Sequence, residues 1–299
     1  PNKAYHSNEA SVDDARVNEQ LLADTINYYE DCHHDYFFAW CNRQNLALHY
    51  GYWDSDQPYN HHQALINTNA ILYKKAQIKP SEHVLDAGCG IGGSTLWMAN
   101  AHQNQVTGIT ISEKQANYAK NHAKRRQLDH LVDFKVANYC QTEFDDESFD
   151  VIWALESACY ALNKTDFLKE AYRLLRKGGR LALCDAFMLQ REFNETQWQT
   201  VMTFLNGWMV PNLSDRVSFN QLLLETGFSD VQLTDISQQV LPSSKHMHKV
   251  AKRLYPIHKV SQCLGLRSKT QIENYQVGFA QYDFFHDRLA EYCLFTATK

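Results

Sequence analysis

The chain has 299 residues, enough for one elaborated domain or two small ones, with 44% hydrophobic and 21% charged residues. Its formal net charge of −5 provides no basic field that would attract nucleic acid. The eight cysteines show no C-x-x-C pair or zinc-like spacing, which favours free thiols in a reducing compartment. The polar start lacks the apolar region of a signal peptide, and no apolar run approaches the roughly 20 residues that span a bilayer. We therefore expect a cytoplasmic protein without an integral membrane segment.

The first part of the chain is predicted to be helical. Apolar and aromatic residues recur at helical spacing from Val17 to Trp40, which indicates one or two amphipathic helices. Leu46–Asp54 is an aromatic, turn-like segment, and a helix is predicted over Asn60–Ala76. We expect residues 1–80 to form a helical cap.

From Glu82 onward, strand-like runs alternate with helical runs, which is typical of a doubly wound parallel sheet with its ligand site at the carboxyl ends of the strands. No helix follows the final run, so we expect it to close the sheet as an antiparallel strand. The predicted fold is α/β, a mostly parallel seven-stranded sheet over residues 81–299 with helical lid insertions at about 190–226 and 243–287. The predicted strands are His83–Asp86, Gln105–Thr110, Val132–Ala137, Phe149–Leu155, Gly179–Phe187, Val231–Ile236 and Ala290–Lys299, and the helices among them are Gly93–His102, Ser112–Gln127, Thr165–Arg176 and Ser218–Gly227.

A glycine-rich loop, DAGCGIGGS, joins the first of these strands to a helix. A Walker-type phosphate loop would need a lysine before the Ser or Thr, and none is present. The glycines match the dinucleotide fingerprint G-x-G-x-x-G, but Thr110 and Ser112 stand where a ribose-binding acid would follow the second strand. A tight turn without a ligand is a further alternative. Asp86 at the strand tip favours a ligand with a charged amine or a hydroxyl group.

The block VLDAGCGIGG resembles motif I of the class I S-adenosylmethionine-dependent methyltransferases. VTGITIS, FDVIWALESACY and FLKEAYRLLRKGGRLALCDAF follow it in the family's order. Within that superfamily, GITIS, ALESACY and the upstream LHYGYWD are similar to the tocopherol, sterol and geranyl-diphosphate C-methyltransferases and their natural-product relatives. The resemblance covers about residues 28–187 and the final strand. It implies the Rossmann-like methyltransferase fold, S-adenosylmethionine as the cofactor and a small-molecule acceptor.

The resemblance also implies roles for the motif residues. Backbone groups of the glycine loop would receive the methionine part of the cofactor, and Asp86 would order the loop or reach the amine through water. Where most relatives carry Asp after the third strand, this chain has Asn138, whose Oδ1 can accept the same bond from the adenine amino group. Thr110 and Ile111 would cover the ribose and adenine, with Gln115 nearby. The predicted cofactor-binding set is Asp86, Gly88, Cys89, Gly90, Thr110, Ile111, Gln115, Ala137, Asn138 and Leu155.

Two residues are predicted to be catalytic. Glu156 follows the fourth strand and, in similar enzymes, lies between cofactor and acceptor, where it can stabilise positive charge or accept a proton. Alternatively it only packs the cofactor pocket or caps a turn. His49 either contacts the cofactor carboxylate or acts as a general base, because its ordinary pKa suits proton transfer at neutral pH. Alternatively it is a hydrogen-bonded residue that fixes the amino-terminal segment.

Aromatic residues are candidates for the acceptor site, because aromatic faces attract cations. Tyr50, Tyr160 and Trp208 are the predicted substrate contacts. No metal site is expected, since adjacent histidines such as His33 and His34 diverge on a helix.

The segment from Ser243 to Lys269 contains seven Lys or Arg and no acid. Met247, Val250, Leu254 and Ile257 share a helical face there, and Pro256 is expected to bend or break that helix. The segment is a solvated helix face, a site for an anionic substrate group, or a contact with an anionic membrane surface.

Together these features predict an S-adenosylmethionine-dependent methyltransferase of a small, largely apolar metabolite. The metabolite is anionic if the basic segment binds it, and lipid-like if that segment contacts a membrane. Carbon methylation is the first hypothesis, and O- or N-methylation is the alternative. A nicotinamide-dependent oxidoreductase and a non-catalytic cofactor-binding module are the alternatives from other classes. The sequence does not predict the acceptor's identity or the oligomeric state.

Overall fold

In the computed structural model, residues 12–189 and 192–299 are described. Seven strands form one sheet in the order β3-β2-β1-β4-β5-β7-β6. The first five strands are parallel, and the last strand runs antiparallel to both of its neighbours. The predicted doubly wound fold with an antiparallel closing strand is confirmed. The strands are β1 His83–Ala87, β2 Gln105–Thr110, β3 Val132–Val136, β4 Phe149–Leu155, β5 Leu175–Met188, β6 Ser229–Asp235 and β7 Ala290–Thr298.

Helices cover both faces of the sheet. The core on one face joins the sheet to α2, α3, α4, α6, α8 and α9, and the core on the other face joins it to α5 and α7. The strand order reverses between β1 and β4, so their carboxyl ends open a crevice at the switch point, where ligands bind in such sheets. The helices are α1 Val12–Ala39, α2 His61–Lys75, α3 Gly93–His102, α4 Glu113–Arg125, α5 Lys164–Leu174, α6 Glu195–Gly207, α7 Arg216–Thr226, α8 Ser237–Cys263 and α9 Lys269–His286.

Two predicted boundaries differ from the structure. The helix α5 ends at Leu174, before the predicted end at Arg176, because Leu175 already pairs with Phe149 of β4. Pro256 does not end its helix, since α8 continues to Cys263. Proline removes one backbone hydrogen bond, and the side chains of Lys252 and Pro256 both lie on the exposed side of α8, where water can satisfy the freed carbonyl group.

The helices α6, α8 and α9 pack together beside the carboxyl edge of the sheet. Gly207 in the last turn of α6 touches α9, and an added Cβ there would stand 2.7 Å from the carbonyl oxygen of Glu273 and against the side chain of Val277. The absence of a side chain at this position therefore allows α6 to approach α9 closely. This approach brings the aromatic residues of α6 to the site described below.

We predict that Gly207→Ala destabilises the protein by roughly 1 to 3 kcal/mol, because the methyl group overpacks the contact between α6 and α9. In an exposed helix the same change would stabilise by about 0.5 to 1 kcal/mol. Urea-induced unfolding gives the free energy of each variant, with Asn206→Ala on the exposed side of α6 as the control. A Gly207→Ala protein as stable as the control would contradict the close contact.

Candidate active site

A cavity of about 670 Å³ opens at the carboxyl ends of β1, β2 and β4. Its volume lies within the roughly 300–1,000 Å³ of cavities that hold small ligands. All the predicted cofactor-binding residues line it except Ala137, whose backbone N–H donates to the carbonyl oxygen of Thr110 at 3.0 Å. Ala137 therefore joins β3 to β2 behind the cavity and is not part of its wall.

The glycine loop is fixed by its own backbone. Gly88 has a φ of +93°, and a Cβ at this position would stand 2.5 Å from the Cβ of Ser157. The N–H groups of Gly88 and Cys89 donate to the carbonyl oxygen of Ile109, at 3.0 and 2.8 Å. These two bonds hold the loop against the end of β2, and the role of the loop backbone in receiving the methionine part of the cofactor stays a prediction.

Asp86 points from β1 towards the start of α3. Its carboxyl group is 3% exposed and accepts a hydrogen bond from the Thr95 hydroxyl at 2.6 Å. Burial raises the pKa of Asp86 to about 7, although the bond from Thr95 opposes that shift. This bond joins the end of β1 to the start of α3 across the glycine loop, and a contact of Asp86 with the cofactor amine through water stays a prediction.

Polar side chains at the ends of β2 and β3 form the opposite wall. The Thr110 hydroxyl donates to Oε1 of Gln115 at 2.7 Å, so the amide nitrogen of Gln115 is the donor that remains for a hydroxyl oxygen of a ligand. Asn138 lines the cavity, but its Oδ1 already accepts the N–H of Cys140 at 2.9 Å. Ile111 and Leu155 add apolar surface to the wall.

Glu156 has an unusual backbone conformation, and its side chain accepts hydrogen bonds from two distant parts of the chain. It is not glycine, yet its φ is +49°, a conformation that costs roughly 1 to 3 kcal/mol and persists only where the surroundings enforce it. Oε1 accepts the N–H of Tyr50 at 2.6 Å and the hydroxyl group of Tyr292. Burial raises the pKa of Glu156 to about 8, against these two bonds and with the help of the nearby Asp185 carboxyl.

A second, narrow cavity of about 40 Å³ lies on the other side of Glu156. The predicted substrate residues Tyr50, Tyr160 and Trp208 all line it. The Tyr29 hydroxyl donates to the Tyr160 hydroxyl at 3.0 Å, and the latter donates to the carbonyl oxygen of Trp208, also at 3.0 Å. The two cavities share walls formed by Tyr29, Leu48, His49, Glu156 and Tyr160.

His49 lines both cavities, but its ring nitrogens already contact other groups of the protein. Nδ1 lies 2.9 Å from the carbonyl oxygen of Tyr50, so it carries the proton, and Nε2 lies 3.3 Å from the amide nitrogen of Asn69. Burial lowers the pKa of His49 to about 4. These contacts favour the alternative in which a neutral His49 fixes the amino-terminal segment.

Sequence reasoning missed Tyr292 and Asp185. The strand β7 is antiparallel, so it begins at the edge where the parallel strands end, and its early residue Tyr292 lies opposite Ala186. The position of Tyr292 at this edge follows from the predicted antiparallel direction of the last strand.

Asp185 lines the second cavity near the end of β5, and its carboxyl group accepts the N–H groups of Cys159 and Ala186, both at 2.9 Å. Burial raises the pKa of Asp185 to about 6.

Comparison with known proteins identifies the family. Residues 85–183 match the family model described as a methyltransferase domain. Over 197 residues the chain is 34% identical to a 27-O-demethylrifamycin SV methyltransferase of Amycolatopsis mediterranei, and the match covers 66% of this chain and 71% of that enzyme. The chain belongs to the S-adenosylmethionine-dependent methyltransferases. This confirms the resemblance and the predicted cofactor, S-adenosylmethionine.

Solved structures share the fold of this methyltransferase along most of its length. The [4+2]-cyclase SpnF has a TM-score of 0.77 at 22% identity, covering 93% of this chain and 96% of the cyclase. A geranyl diphosphate C-methyltransferase from Streptomyces coelicolor A3(2) has a TM-score of 0.72 at 19% identity, covering 93% and 97% of the two chains. At such low identities these likenesses show the fold alone.

The cavity suits this cofactor in size and chemistry. A loop with a positive φ at Gly88 allows the backbone to approach a ligand, and Asp86 and Glu156 are buried carboxyl groups near it. Thr110 and Gln115 supply neutral polar groups on the opposite wall. Within the part of the chain that the structure describes, no three His, Cys, Asp or Glu side chains are placed to hold a metal ion. No helix among the same residues is long and apolar enough to cross a membrane.

The raised pKa of Glu156 predicts how the cofactor-free methyltransferase responds to pH. The folded protein keeps a proton on Glu156 that the unfolded chain releases above its ordinary pKa of 4.5. This contribution to stability is fully present below pH 4.5 and is lost as the pH rises through about 8. Glu156→Gln removes the dependence, so the free energy of unfolding of the variant relative to wild type should rise by roughly 2 to 4 kcal/mol between pH 5 and pH 9.

Urea-induced unfolding of both proteins across this pH range measures the difference, and the contribution of Asp86 cancels because both proteins carry it. A difference that stays constant with pH would show that Glu156 is ionised in the folded protein.

Proposed function

We propose that this methyltransferase transfers a methyl group to a carbon atom of a small, largely apolar acceptor that binds in the second cavity. The observation that carries the proposal is the shared wall, where aromatic side chains surround the buried carboxyl group of Glu156 between the two cavities. The similarity of the GITIS and ALESACY blocks to C-methyltransferases supports the choice of carbon.

S-adenosylmethionine supplies an electrophilic methyl group on a positively charged sulfur. The protein's task is then to orient the acceptor for in-line attack and to exclude water. Tyr50, Tyr160 and Trp208 supply the apolar walls, and their ring faces favour positive charge that develops on an acceptor carbon. The narrowness of the second cavity means that the acceptor displaces these side chains as it enters.

We assign two functions to the Glu156 carboxyl group. Both described donors bind Oε1, which leaves Oε2 to face the reacting atoms. Positive charge in the cavities lowers the pKa of a buried carboxyl group, so Glu156 becomes a carboxylate that stabilises the charge. It then accepts a proton from the methylated acceptor at Oε2.

His49 is assigned a positioning role. Its Nδ1–H donates to the carbonyl oxygen of Tyr50, and the backbone N–H of Tyr50 in turn donates to Oε1 of Glu156. The side chain of His49 therefore fixes the peptide segment that orients the carboxyl group.

O-methylation is the second candidate, because the relative with 34% identity is named for a 27-O-demethyl substrate, 27-O-demethylrifamycin SV. In that case Glu156 or Asp185, the two carboxyl groups of the second cavity, would accept the proton of an acceptor hydroxyl group. Transfer of labelled methyl from S-adenosylmethionine into a metabolite extract, followed by NMR of the labelled product, distinguishes a C–CH₃ group from an O–CH₃ group. Absence of labelled product across extracts rich in apolar metabolites would count against both candidates.

We predict that Glu156→Gln lowers kcat by about 100-fold or more, since it removes a group that accepts a proton. Tyr292→Phe removes one of the two donors to Oε1 and should lower kcat less. Binding of S-adenosylmethionine by calorimetry should change far less than kcat in both variants, which shows that they fold. The control is Glu225→Gln, the same chemical change on the exposed side of α7. Full activity of Glu156→Gln would exclude a role for this carboxyl group in the reaction.

A further inference from the structure

The outer face of α8 and the turn after it carry apolar side chains that no part of the described chain covers. Five of the eleven large hydrophobic residues exposed in the described chain lie in this one stretch. Their exposed fractions are 43% for Tyr255, 66% for Ile257, 61% for Val260, 67% for Leu264 and 71% for Leu266.

The helical geometry places these residues on the side of α8 that faces away from the protein. Ile257, Val260 and Leu264 follow the spacing i, i+3, i+7, which forms one stripe on a helix. The opposite side of α8 packs against the protein through Val240, Ala251 and His258. The predicted apolar face was therefore partly wrong, because Ile257 belongs to the exposed side whereas Met247 packs against the core.

Basic residues surround the exposed stripe. Arg267 pairs with Asp35 of α1 at 2.6 Å, and Lys269 lies 3.6 Å from Glu273 of α9, so acids of neighbouring helices balance these two charges. The other five cations of the segment form no ion pair with any described side chain, and they give this face a positive charge in a chain of net charge −5. They are Lys245, Lys249, Lys252, Arg253 and Lys259.

We propose that this basic and apolar face of α8 and of the turn after it docks on the surface of an anionic lipid bilayer. The face is formed by Lys249, Lys252, Arg253, Ile257, Lys259, Val260, Leu264 and Leu266. A helix in the membrane interface inserts apolar side chains among the acyl chains while lysines and arginines bind the lipid phosphates. The charge of the face selects anionic lipid over a neutral surface.

The same helix also reaches the second cavity, which we propose holds the acceptor. Met247 lines the second cavity, and Ile257 lies ten residues later, about 15 Å along the axis of α8 at 1.5 Å per residue. Docking therefore brings the acceptor cavity within one helix length of the bilayer, where an apolar acceptor concentrates. The docking itself does not depend on the proposed reaction.

The test is flotation of the full chain with vesicles, without cofactor or acceptor, so that its outcome is independent of methyl transfer. Wild type should bind phosphatidylcholine vesicles that contain phosphatidylserine and not pure phosphatidylcholine vesicles. Binding should weaken from about 0.15 M to about 1 M salt, because salt screens exposed charges. Each cation near the surface contributes about fivefold to binding, so reversal of Lys249, Lys252 and Arg253 to Glu should reduce the partition coefficient by about 100-fold or more.

One further variant and two controls separate the apolar stripe from the charges. Ile257→Ser with Leu264→Ser should also reduce binding, and the control is Val217→Ser with Leu224→Ser, a pair on α7 that is 61% and 52% exposed. Lys114, Lys120 and Lys124 reversed to Glu on α4 give the same change of net charge elsewhere on the surface.

Three outcomes would overturn the proposal. Wild type could fail to bind the anionic vesicles, or the variants in α8 could bind as wild type does. In the third outcome wild type self-associates without binding vesicles, and Ile257→Ser abolishes that association. The stripe would then be an interface between copies of this chain.

Discussion

The carboxyl group of Glu156 joins three parts of the chain that are distant in sequence. Its Oε1 accepts the N–H of Tyr50 from the amino-terminal segment and the hydroxyl group of Tyr292 from the last strand, while its own N–H donates to Cys184 of β5 at 2.8 Å. Burial makes these contacts strong, since an unpaired carboxyl group in this position would carry a large desolvation cost. The same contacts hold Glu156 at its positive φ. The wall between the two cavities depends on this one side chain.

The topology of the sheet explains why this arrangement arises here. The strand order reverses between β1 and β4, which leaves a crevice at their carboxyl ends, and the antiparallel β7 begins at that same edge. Gly88 lets the loop after β1 pass within contact distance of Ser157, whose hydroxyl group donates to the carbonyl oxygen of Ala87 at 2.5 Å. The loops after β1 and β4 therefore position each other before any ligand binds.

The sequence predicted the sheet because β-α alternation is a local, periodic pattern. All but one of the residues that the family resemblance implied for the cofactor line the larger cavity. The sequence could not predict which atoms stay available to a ligand. The N–H groups of Gly88 and Cys89 bind Ile109, and Oδ1 of Asn138 binds Cys140. In each case a group that could bind a ligand forms a hydrogen bond within the protein instead, and only the three-dimensional arrangement shows which groups do so. For the same reason a sequence motif does not reveal that both ring nitrogens of His49 have partners.

Burial of Glu156 and Asp185 in one small cavity is unfavourable for the free enzyme, because the Asp185 carboxyl group raises the pKa of Glu156 in addition to the effect of burial. A positively charged sulfur or an acceptor that becomes positive reverses the sign of this electrostatic interaction. In the proposed reaction, these two buried carboxyl groups then act as counter-charges without moving. Under the proposed function, the strained φ at Glu156 and its raised pKa follow from one constraint, that the carboxyl group must already be buried beside the reacting atoms when positive charge enters the cavity.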